Sequence, residues 1–295
     1  MPANRTRFSP ALDESNRASL EAEQRWADVS GGRLRYLVQG GGTPFVLLHG
    51  IVASSFSFRL IASDLSREFR VYLPDLRVAG ADASLKATAT RILQLLDQAG
   101  IESADVLGSS HGGAVAMELA AMAAHRVRRL ILVSPANPFA RGYQRVVNFY
   151  LSRPGGIFIR LAPFAPIPIW EYAIKRMCGA SSILPPGIGV GYRQPLRERG
   201  MTAHIRSSLQ TFITEIEALR PKLSELRNMP TLLIWGDRDP VVELESGHQL
   251  QQILGAEMVV MPGIGHLPYE ENPEEFSRIV LGFLAIGSSG DRVIG

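Results

Sequence analysis

The stretch Val106-Leu-Gly-Ser-Ser-His-Gly-Gly-Ala-Val115 leaves a short apolar run and enters an alanine-rich segment. It places Ser110 between Gly108 and Gly112, a spacing that favours a sharp turn from a β-strand into an α-helix. Glycine at both positions avoids steric collision in such a turn. The turn would raise the Ser110 hydroxyl above the sheet and direct the His111 N–H to the same place, at a helix N-terminus that favours negative charge. The stretch therefore predicts a nucleophilic serine.

Short apolar runs alternate with helical patterns on both sides of this turn. Residues 26–30 and 33–39 alternate polar and apolar side chains around two glycines, which predicts a hairpin. Further apolar runs predict buried strands at 44–49, 70–74, 104–108, 130–134, 231–235 and 258–261. Apolar spacing of three and four residues predicts helices over 84–99, 113–124, 243–254 and 273–285. Strands that alternate with helices indicate a mostly parallel sheet with helices on both faces.

One long segment, residues 136–228, interrupts this alternation. It contains nine of the 19 prolines, and it holds 13 basic residues against 5 acidic ones. We interpret it as a helical cap or lid, inserted over the carboxyl edge of the sheet. Residues 25–135 and 229–295 then form the α/β core, and the polar residues 1–24 form an N-terminal tail. The basic side chains of the cap are typical of a solvated face.

The turn around Ser110 resembles the nucleophile elbow of the α/β-hydrolase superfamily, and the resemblance extends over about residues 26–286. It implies the α/β-hydrolase fold, with a sheet of about eight strands and an inserted helical cap. The motif Leu47-Leu-His-Gly50 ends a predicted strand. The resemblance places one oxyanion-hole N–H after this motif, on Ile51 or its neighbour Val52. It places the other on His111.

The resemblance also implies a catalytic acid and a catalytic base. In the motif Trp235-Gly-Asp-Arg-Asp-Pro240, family members place the acid three residues after the glycine, which favours Asp239 over Asp237. The base would be His266, on a glycine-flanked loop after the last predicted strand. Ser110 precedes both residues, which is the chain order of this fold. His266 would accept the serine proton, and Asp239 would hold the imidazole in the required tautomer.

The cap is rich in aromatic residues, and it resembles the caps that cover the site in many family members. We expect an apolar substrate pocket roofed by Phe158, Phe164 and Trp170, with Val52 and Leu267 contributed by the core. Two other interpretations of these aromatic side chains stay open. They could pack the cap against itself and the core, or they could form an interfacial patch for lipid.

Together these residues predict a serine hydrolase that cleaves carboxylic esters with short-to-medium apolar acyl chains through an acyl-enzyme. A C–C bond hydrolase, an amidase or a lactonase could use the same triad. A non-catalytic small-molecule receptor is a further alternative. Serine at position 110 argues against haloalkane dehalogenases and epoxide hydrolases, because these relatives need a carboxylate nucleophile.

The resemblance implies a small-molecule ester as the substrate, and composition limits the other possible partners. The formal net charge of +3 argues against nucleic acid. The chain shows no ligand spacing for a metal, so we expect no metal and no cofactor. Its single cysteine, Cys178, excludes an internal disulfide. Because the sequence shows neither a secretory signal nor an apolar run of about 18 residues, we expect a cytoplasmic protein without a membrane span. The oligomeric state, monomer or dimer, stays open.

Overall fold

A single eight-stranded sheet forms the centre of the protein, whose computed structural model describes residues 22–180 and 182–288. The strands are β1 (Glu23–Val29), β2 (Gly32–Gln39), β3 (Thr43–Leu48), β4 (Phe69–Pro74), β5 (Ala104–Ser109), β6 (Val127–Val133), β7 (Thr231–Gly236) and β8 (Glu257–Met261). Of the predicted tail, residues 1–24, the first 21 lie outside the described residues. Its last two residues already belong to β1.

The strand order is β1-β2-β4-β3-β5-β6-β7-β8. Strands β1 and β2 form the predicted antiparallel hairpin, and β2 pairs antiparallel with β4. Every other pairing in the sheet is parallel. The expected α/β-hydrolase fold with a mostly parallel sheet is therefore confirmed. Parallel strands point their carboxyl ends to one edge, where the loops after β3, β5, β7 and β8 meet.

Eleven helices surround the sheet within the described residues. Those of the core are α1 (Arg59–Leu65), α2 (Leu85–Gln98), α3 (His111–Met122), α9 (Leu244–Leu254), α10 (Pro268–Glu271) and α11 (Pro273–Ser288). Those between β6 and β7 are α4 (Tyr143–Leu151), α5 (Arg153–Leu161), α6 (Ile167–Lys175), α7 (Ile188–Arg193) and α8 (Met201–Leu219). The sequence predicts α2, α3, α9 and α11. It does not predict α1 and α10, which are too short for a clear apolar repeat.

Apolar side chains cover both faces of the sheet. Successive side chains of β3 point to opposite faces and illustrate this. Val46 and Leu48 lie in a cluster with residues of α2, α3 and α8, whereas Phe45 and Leu47 lie in a second cluster with residues of α1 and α11. All four side chains are fully buried. Residues of α8 belong to the same cluster as residues of α2 and α3, which pack on the sheet. The segment between β6 and β7 is therefore anchored in the core. No single helix among the described residues has the length and apolar composition to cross a membrane.

The glycines around Ser110 allow backbone segments to approach closely. A Cβ atom added to Gly112 would lie 2.2 Å from the carbonyl oxygen of Leu48, and one added to Gly108 would lie 2.4 Å from that of Gly112. Both distances are shorter than any tolerable contact, and backbone atoms cannot rotate away as a side chain can. Glycine at these positions therefore fixes the spacing of β3, β5 and α3.

We predict that Gly112→Ala lowers the free energy of unfolding by about 3 kcal/mol, because the new methyl group forces backbone apart in a packed core. Gly282→Ala is the matched control, since nothing lies within 4 Å of its added Cβ in helix α11. We expect that change to raise stability by about 1 kcal/mol through helix propensity. Urea unfolding of both variants measures the difference. Equal stabilities would contradict this account of the turn.

Candidate active site

Ser110 adopts a backbone conformation that is unusual for a residue with a side chain. Its φ is +53° and its ψ is −119°, between the end of β5 and the first residue of α3. The Ser110 N–H donates to the carbonyl of Val133 at 3.0 Å, and the Ser110 carbonyl accepts from Gly113 and Ala136, each at 2.9 Å. Such strain persists only where the surroundings enforce it, and it is concentrated at functional sites. These hydrogen bonds hold the serine in its strained turn.

The turn after β3 passes directly beside this serine. A Cβ atom added to Gly50 would lie 3.5 Å from the Cβ of Ser110 and 4.0 Å from its Oγ. The N–H groups of Ile51 and His111 donate no hydrogen bond to another described residue. Backbone N–H groups are strong donors that need a partner. The two predicted oxyanion donors are thus unpaired, and both belong to segments in contact with Ser110.

His266 and Asp239 form a buried pair. Nδ1 of His266 lies 2.8 Å from Oδ2 of Asp239, and the two side chains are 5% and 0% exposed. The other carboxylate oxygen, Oδ1, accepts from the N–H groups of Val241 and Val242 at 2.8 and 3.0 Å. With both oxygens engaged, the carboxylate has a fixed orientation. It therefore defines which imidazole nitrogen carries the proton and leaves Nε2 unprotonated.

Asp237, the alternative acid, has a different role. Its Oδ1 accepts from the N–H of Gly263 at 2.7 Å, and its side chain is 32% exposed. This contact ties the loop after β7 to the loop after β8. Asp237 therefore braces the loop that carries His266, without contacting the imidazole itself.

The hydroxyl of Ser110 and Nε2 of His266 make no hydrogen bond to each other or to another described residue. The structure thus brings His266 to Asp239 but does not join the imidazole to the serine.

His49 is a structural residue. Its Nδ1 lies 2.7 Å from the Gly50 carbonyl, and its Nε2 accepts from the Leu76 N–H at 3.0 Å. Burial lowers the pKa of His49, so the ring is neutral and both nitrogens are engaged. The ring therefore joins the turn after β3 to the loop after β4 and holds the Ile51 segment in place.

Helix α8 covers the other side of the serine turn. Phe212 stacks on His111 with ring centroids 6.3 Å apart, and Tyr143 meets Phe212 edge-on at 5.2 Å. Burial, followed by His204 and then His49, lowers the pKa of His111 to about 3. Burial and Arg77 are the largest causes that lower the pKa of His204 to about 4. Both imidazoles are therefore uncharged at neutral pH.

A small cavity lies beneath these rings, lined by His49, Ile51, Arg77, His111 and His204 among others. His204 lies in α8, and nothing in the sequence pattern of the segment between β6 and β7 places it beside the turn after β3 or the start of α3. Its Nδ1 is buried without a hydrogen-bond partner among the described residues. The structure therefore adds His204 to the candidate site.

Glu271 connects the loop that carries His266 to the cap. Its carboxylate accepts from the N–H groups of Gly265 and Leu267 in that loop at 3.0 and 3.1 Å. It also accepts from the Gly179 N–H at 2.7 Å and from the Ser182 hydroxyl, both in the segment between β6 and β7. One carboxylate therefore bridges two segments that lie far apart in sequence.

Two further contacts reinforce this connection. The N–H of His266 itself donates to the Met177 carbonyl at 2.7 Å. Arg59 forms a bidentate, buried ion pair with Glu270 at 2.6 and 3.0 Å, and the Tyr192 hydroxyl of α7 donates to the same carboxylate at 3.0 Å. Burial raises the pKa of Glu270, and the arginine opposes that shift. The loop that carries His266 is therefore held partly by the segment between β6 and β7.

The alpha/beta hydrolase fold family model matches residues 43–273, most of the chain. The protein belongs to the α/β-hydrolase family.

Named relatives and a solved structure agree with this assignment. The α/β-hydrolase is 26% identical to Lipase 1 of Psychrobacter immobilis over 89% of this chain and 83% of the relative. It is 28% identical to Haloalkane dehalogenase 2 of Mycobacterium tuberculosis over 88% of this chain and 94% of the relative. The structure of a thermophilic esterase from Thermogutta terrifontis superposes with a TM-score of 0.69 at 24% identity, over 90% of this chain and 98% of that one.

The predicted pocket residues of this α/β-hydrolase do not gather at one place. Phe158 and Phe164 are 54% and 73% exposed, so they do not roof a pocket. Trp170 is half-buried and donates to the Ala162 carbonyl at 3.0 Å, which holds it within the cap. Leu267 is buried in the apolar cluster beside α11, away from solvent. Val52 is half-buried and packs on the cluster that contains α3.

The reason for this difference lies in helix geometry. Gly155 and Ile159 are the buried residues of α5. Phe158 precedes Ile159 by one residue, a rotation of about 100° around the helix axis, and its side chain consequently turns outward. The expectation that Phe158 and Phe164 line the pocket was therefore wrong. Aromatic content alone does not determine which face of the helix is buried.

We predict that Asp239→Asn lowers the turnover of this α/β-hydrolase by ~10⁴, because the amide favours the wrong imidazole tautomer. Asp237→Asn is the matched control. Its carboxylate contacts Gly263 and not His266, so we expect a loss below about tenfold. Steady-state kinetics on an activated ester measures both. A larger loss for Asp237→Asn would reverse the assignment of the acid.

Glu271→Gln should impair both stability and turnover, because an amide NH₂ would face N–H donors that now meet a carboxylate oxygen. We expect about 2 kcal/mol of lost stability and a lower kcat with little change in KM. Glu274→Gln is the matched control on an exposed side chain of α11. Thermal unfolding and ester kinetics provide the measurements. Wild-type kcat in Glu271→Gln would show that the bridge does not position His266.

Proposed function

We propose that this α/β-hydrolase is a serine hydrolase that cleaves carboxylic esters. Ser110 is the nucleophile, His266 the general base and Asp239 the residue that orients the base. The observation that carries the proposal is the strained backbone of Ser110 beside two unpaired N–H groups, on Ile51 and His111. A strained turn exposes a hydroxyl, and paired N–H donors suit a developing oxyanion.

The proposed reaction proceeds in two halves. As the Ser110 oxygen attacks the ester carbonyl, Nε2 of His266 takes the hydroxyl proton, and the carbonyl oxygen gains negative charge between the two N–H donors. The imidazolium then gives its proton to the leaving alcohol, which yields the acyl-enzyme. Water attacks the acyl group, with His266 again as base, and releases the acid and the free serine. Asp239 stabilises the imidazolium in both halves.

The walls of the site support an apolar acyl group. His111 is neutral and stacks on Phe212, which in turn packs against Tyr143, so these three side chains present uncharged rings beside the serine turn. Phe212 and Tyr143 replace Phe158 and Phe164 as the aromatic residues that we place near the acyl chain. We propose acyl chains of short to medium length, as the sequence predicts.

Among relatives, Lipase 1 and Lipase 3 support an ester as the substrate, at 26% and 24% identity. The haloalkane dehalogenase relative argues for a different reaction, but a serine hydroxyl at position 110 does not supply the carboxylate nucleophile of that chemistry. Cleavage of C–C bonds, amides or lactones could use the same triad. A receptor without catalytic activity would need no acid paired with His266.

Ser110→Ala should lower turnover of p-nitrophenyl butanoate by ~10⁶. A fluorophosphonate should label the wild type on Ser110, as peptide mass spectrometry would show. Ser109→Ala is the matched control, because its hydroxyl is buried against Tyr269 at 3.2 Å. Parallel assays with an amide, a lactone and a dienedione test the alternative bond types. Labelling at another serine, or binding of ester without turnover, would end the proposal.

The acyl preference gives a second test. Each methylene buried in an apolar site contributes about 0.8 kcal/mol, close to fourfold in kcat/KM. We therefore expect butanoate to be preferred to acetate by more than tenfold, and we expect Phe212→Ala to reduce that ratio. The ratio between two esters does not depend on the fraction of folded enzyme. An acetate optimum in the wild type would exclude an apolar acyl site.

A further inference from the structure

Exposed apolar side chains are concentrated in one part of the described structure. Of 14 large apolar side chains that are exposed, ten lie between residues 146 and 190. Six of them form what we call the outer cap surface, on α4, α5 and the turn that follows: Val146, Phe149, Ile157, Phe158, Leu161 and Phe164. Each of these six is at least half exposed. A group of this size on a protein surface marks an interaction site more often than chance.

Ring contacts and close helix packing connect the two helices of the outer cap surface. The Tyr150 ring meets Phe149 of α4 edge-on and Phe158 of α5 at a tilt, with ring centroids 5.2 and 6.1 Å apart. The two helices touch closely, since a Cβ added to Gly155 would lie 1.9 Å from the Phe149 carbonyl oxygen. Ile159, on the opposite side of α5, is buried and anchors that helix. The apolar side chains are therefore held outward by packing beneath them.

The segment that carries this surface has a positive net charge. Residues 141–176 contain six basic residues and a single acidic one, Glu171. The two basic side chains of α5, Arg153 and Arg160, are exposed and make no ion pair or hydrogen bond with any other described residue. An anionic partner would satisfy these charges, whereas a second copy of the chain would bring like charges together.

We propose that the outer cap surface docks the protein on a lipid bilayer that contains anionic lipids. Helices with aromatic and aliphatic residues on one side and arginine or lysine beside them lie in the headgroup region of bilayers. The segments Arg153–Phe164 and Ile167–Lys175 are apolar enough to span a membrane by composition, but a bend of 117° separates them. That bend suits a shallow position along the bilayer surface.

Docking on the bilayer does not depend on the chemistry at Ser110. Its consequence for substrate does rest on the proposed function: a docked cap would bring the site to esters that are dissolved in the bilayer. The substrate class would then be amphiphilic esters, with the apolar chain taken directly from lipid.

Vesicle sedimentation of the full chain tests the docking. Vesicles of phosphatidylcholine alone are compared with vesicles that contain 30 mol% phosphatidylglycerol. Because each basic residue near an anionic bilayer strengthens binding by about fivefold, we expect at least tenfold tighter binding to the anionic vesicles. The double variant Arg153→Gln, Arg160→Gln should bind the anionic vesicles about 25-fold more weakly than the wild type does. Equal binding to both vesicles, or no binding, would overturn the proposal.

The apolar contribution is tested with Ile157→Gln and Leu161→Gln in one variant, which should lose at least tenfold in affinity. The matched control is Met122→Gln with Val260→Gln, two exposed apolar residues outside the cap, and it should bind as the wild type does. An equal loss in both variants would overturn the proposal. Sedimentation velocity provides a further test. A dimer of the wild type that dissociates in the Ile157 and Leu161 variant would also overturn the proposal.

Turnover of p-nitrophenyl butanoate without vesicles separates this inference from the proposed function. The Ile157 and Leu161 variant should hydrolyse this soluble ester at the wild-type rate. Turnover without vesicle binding would overturn the docking and leave the ester hydrolase in place. Vesicle binding without turnover of any ester would overturn the hydrolase and leave the docking surface.

Discussion

The backbone of Ser110 is the constraint on which the site depends. A residue with a side chain at positive φ is costly, and here hydrogen bonds to Val133, Gly113 and Ala136 impose that conformation. Gly112 lets α3 approach β3 closely enough for the two oxyanion segments to lie beside the serine. The positions of the hydroxyl and of both N–H donors therefore follow from one tight turn and the absence of a side chain beside it.

Charge is distributed very differently inside and outside the cap. Around the serine turn, burial keeps His111 and His204 neutral, and the carboxylate of Asp239 is fully engaged by its partners. On the outside, arginine and lysine side chains stand exposed beside apolar ones. In the proposed reaction, the unpaired N–H groups of Ile51 and His111 would be the donors for the negative charge that develops.

The fold and the serine turn were predictable from sequence because their signals are local. Apolar runs indicated the strands, glycines indicated the turn, and the resemblance to the family, through its spacing after Gly236, favoured Asp239 over Asp237. The short helices α1 and α10 gave no such periodic signal. The prediction of the pocket residues failed because the sequence of α5 shows that the helix is apolar but does not show which of its side chains pack against the rest of the protein. His204 was not predictable at all, since it reaches the site only through the packing of α8.

The hydrogen bonds between the cap and the loop of His266 have a consequence for how the site opens. If the segment between β6 and β7 moved as one rigid body, it would pull on the hydrogen bonds of Met177 and Gly179 and so displace His266, the proposed base. On the proposed function, substrate entry would therefore keep these hydrogen bonds intact. The same hydrogen bonds restrict exchange of the segment between β6 and β7: a replacement segment would need its own acceptor for the His266 N–H to keep that residue in place.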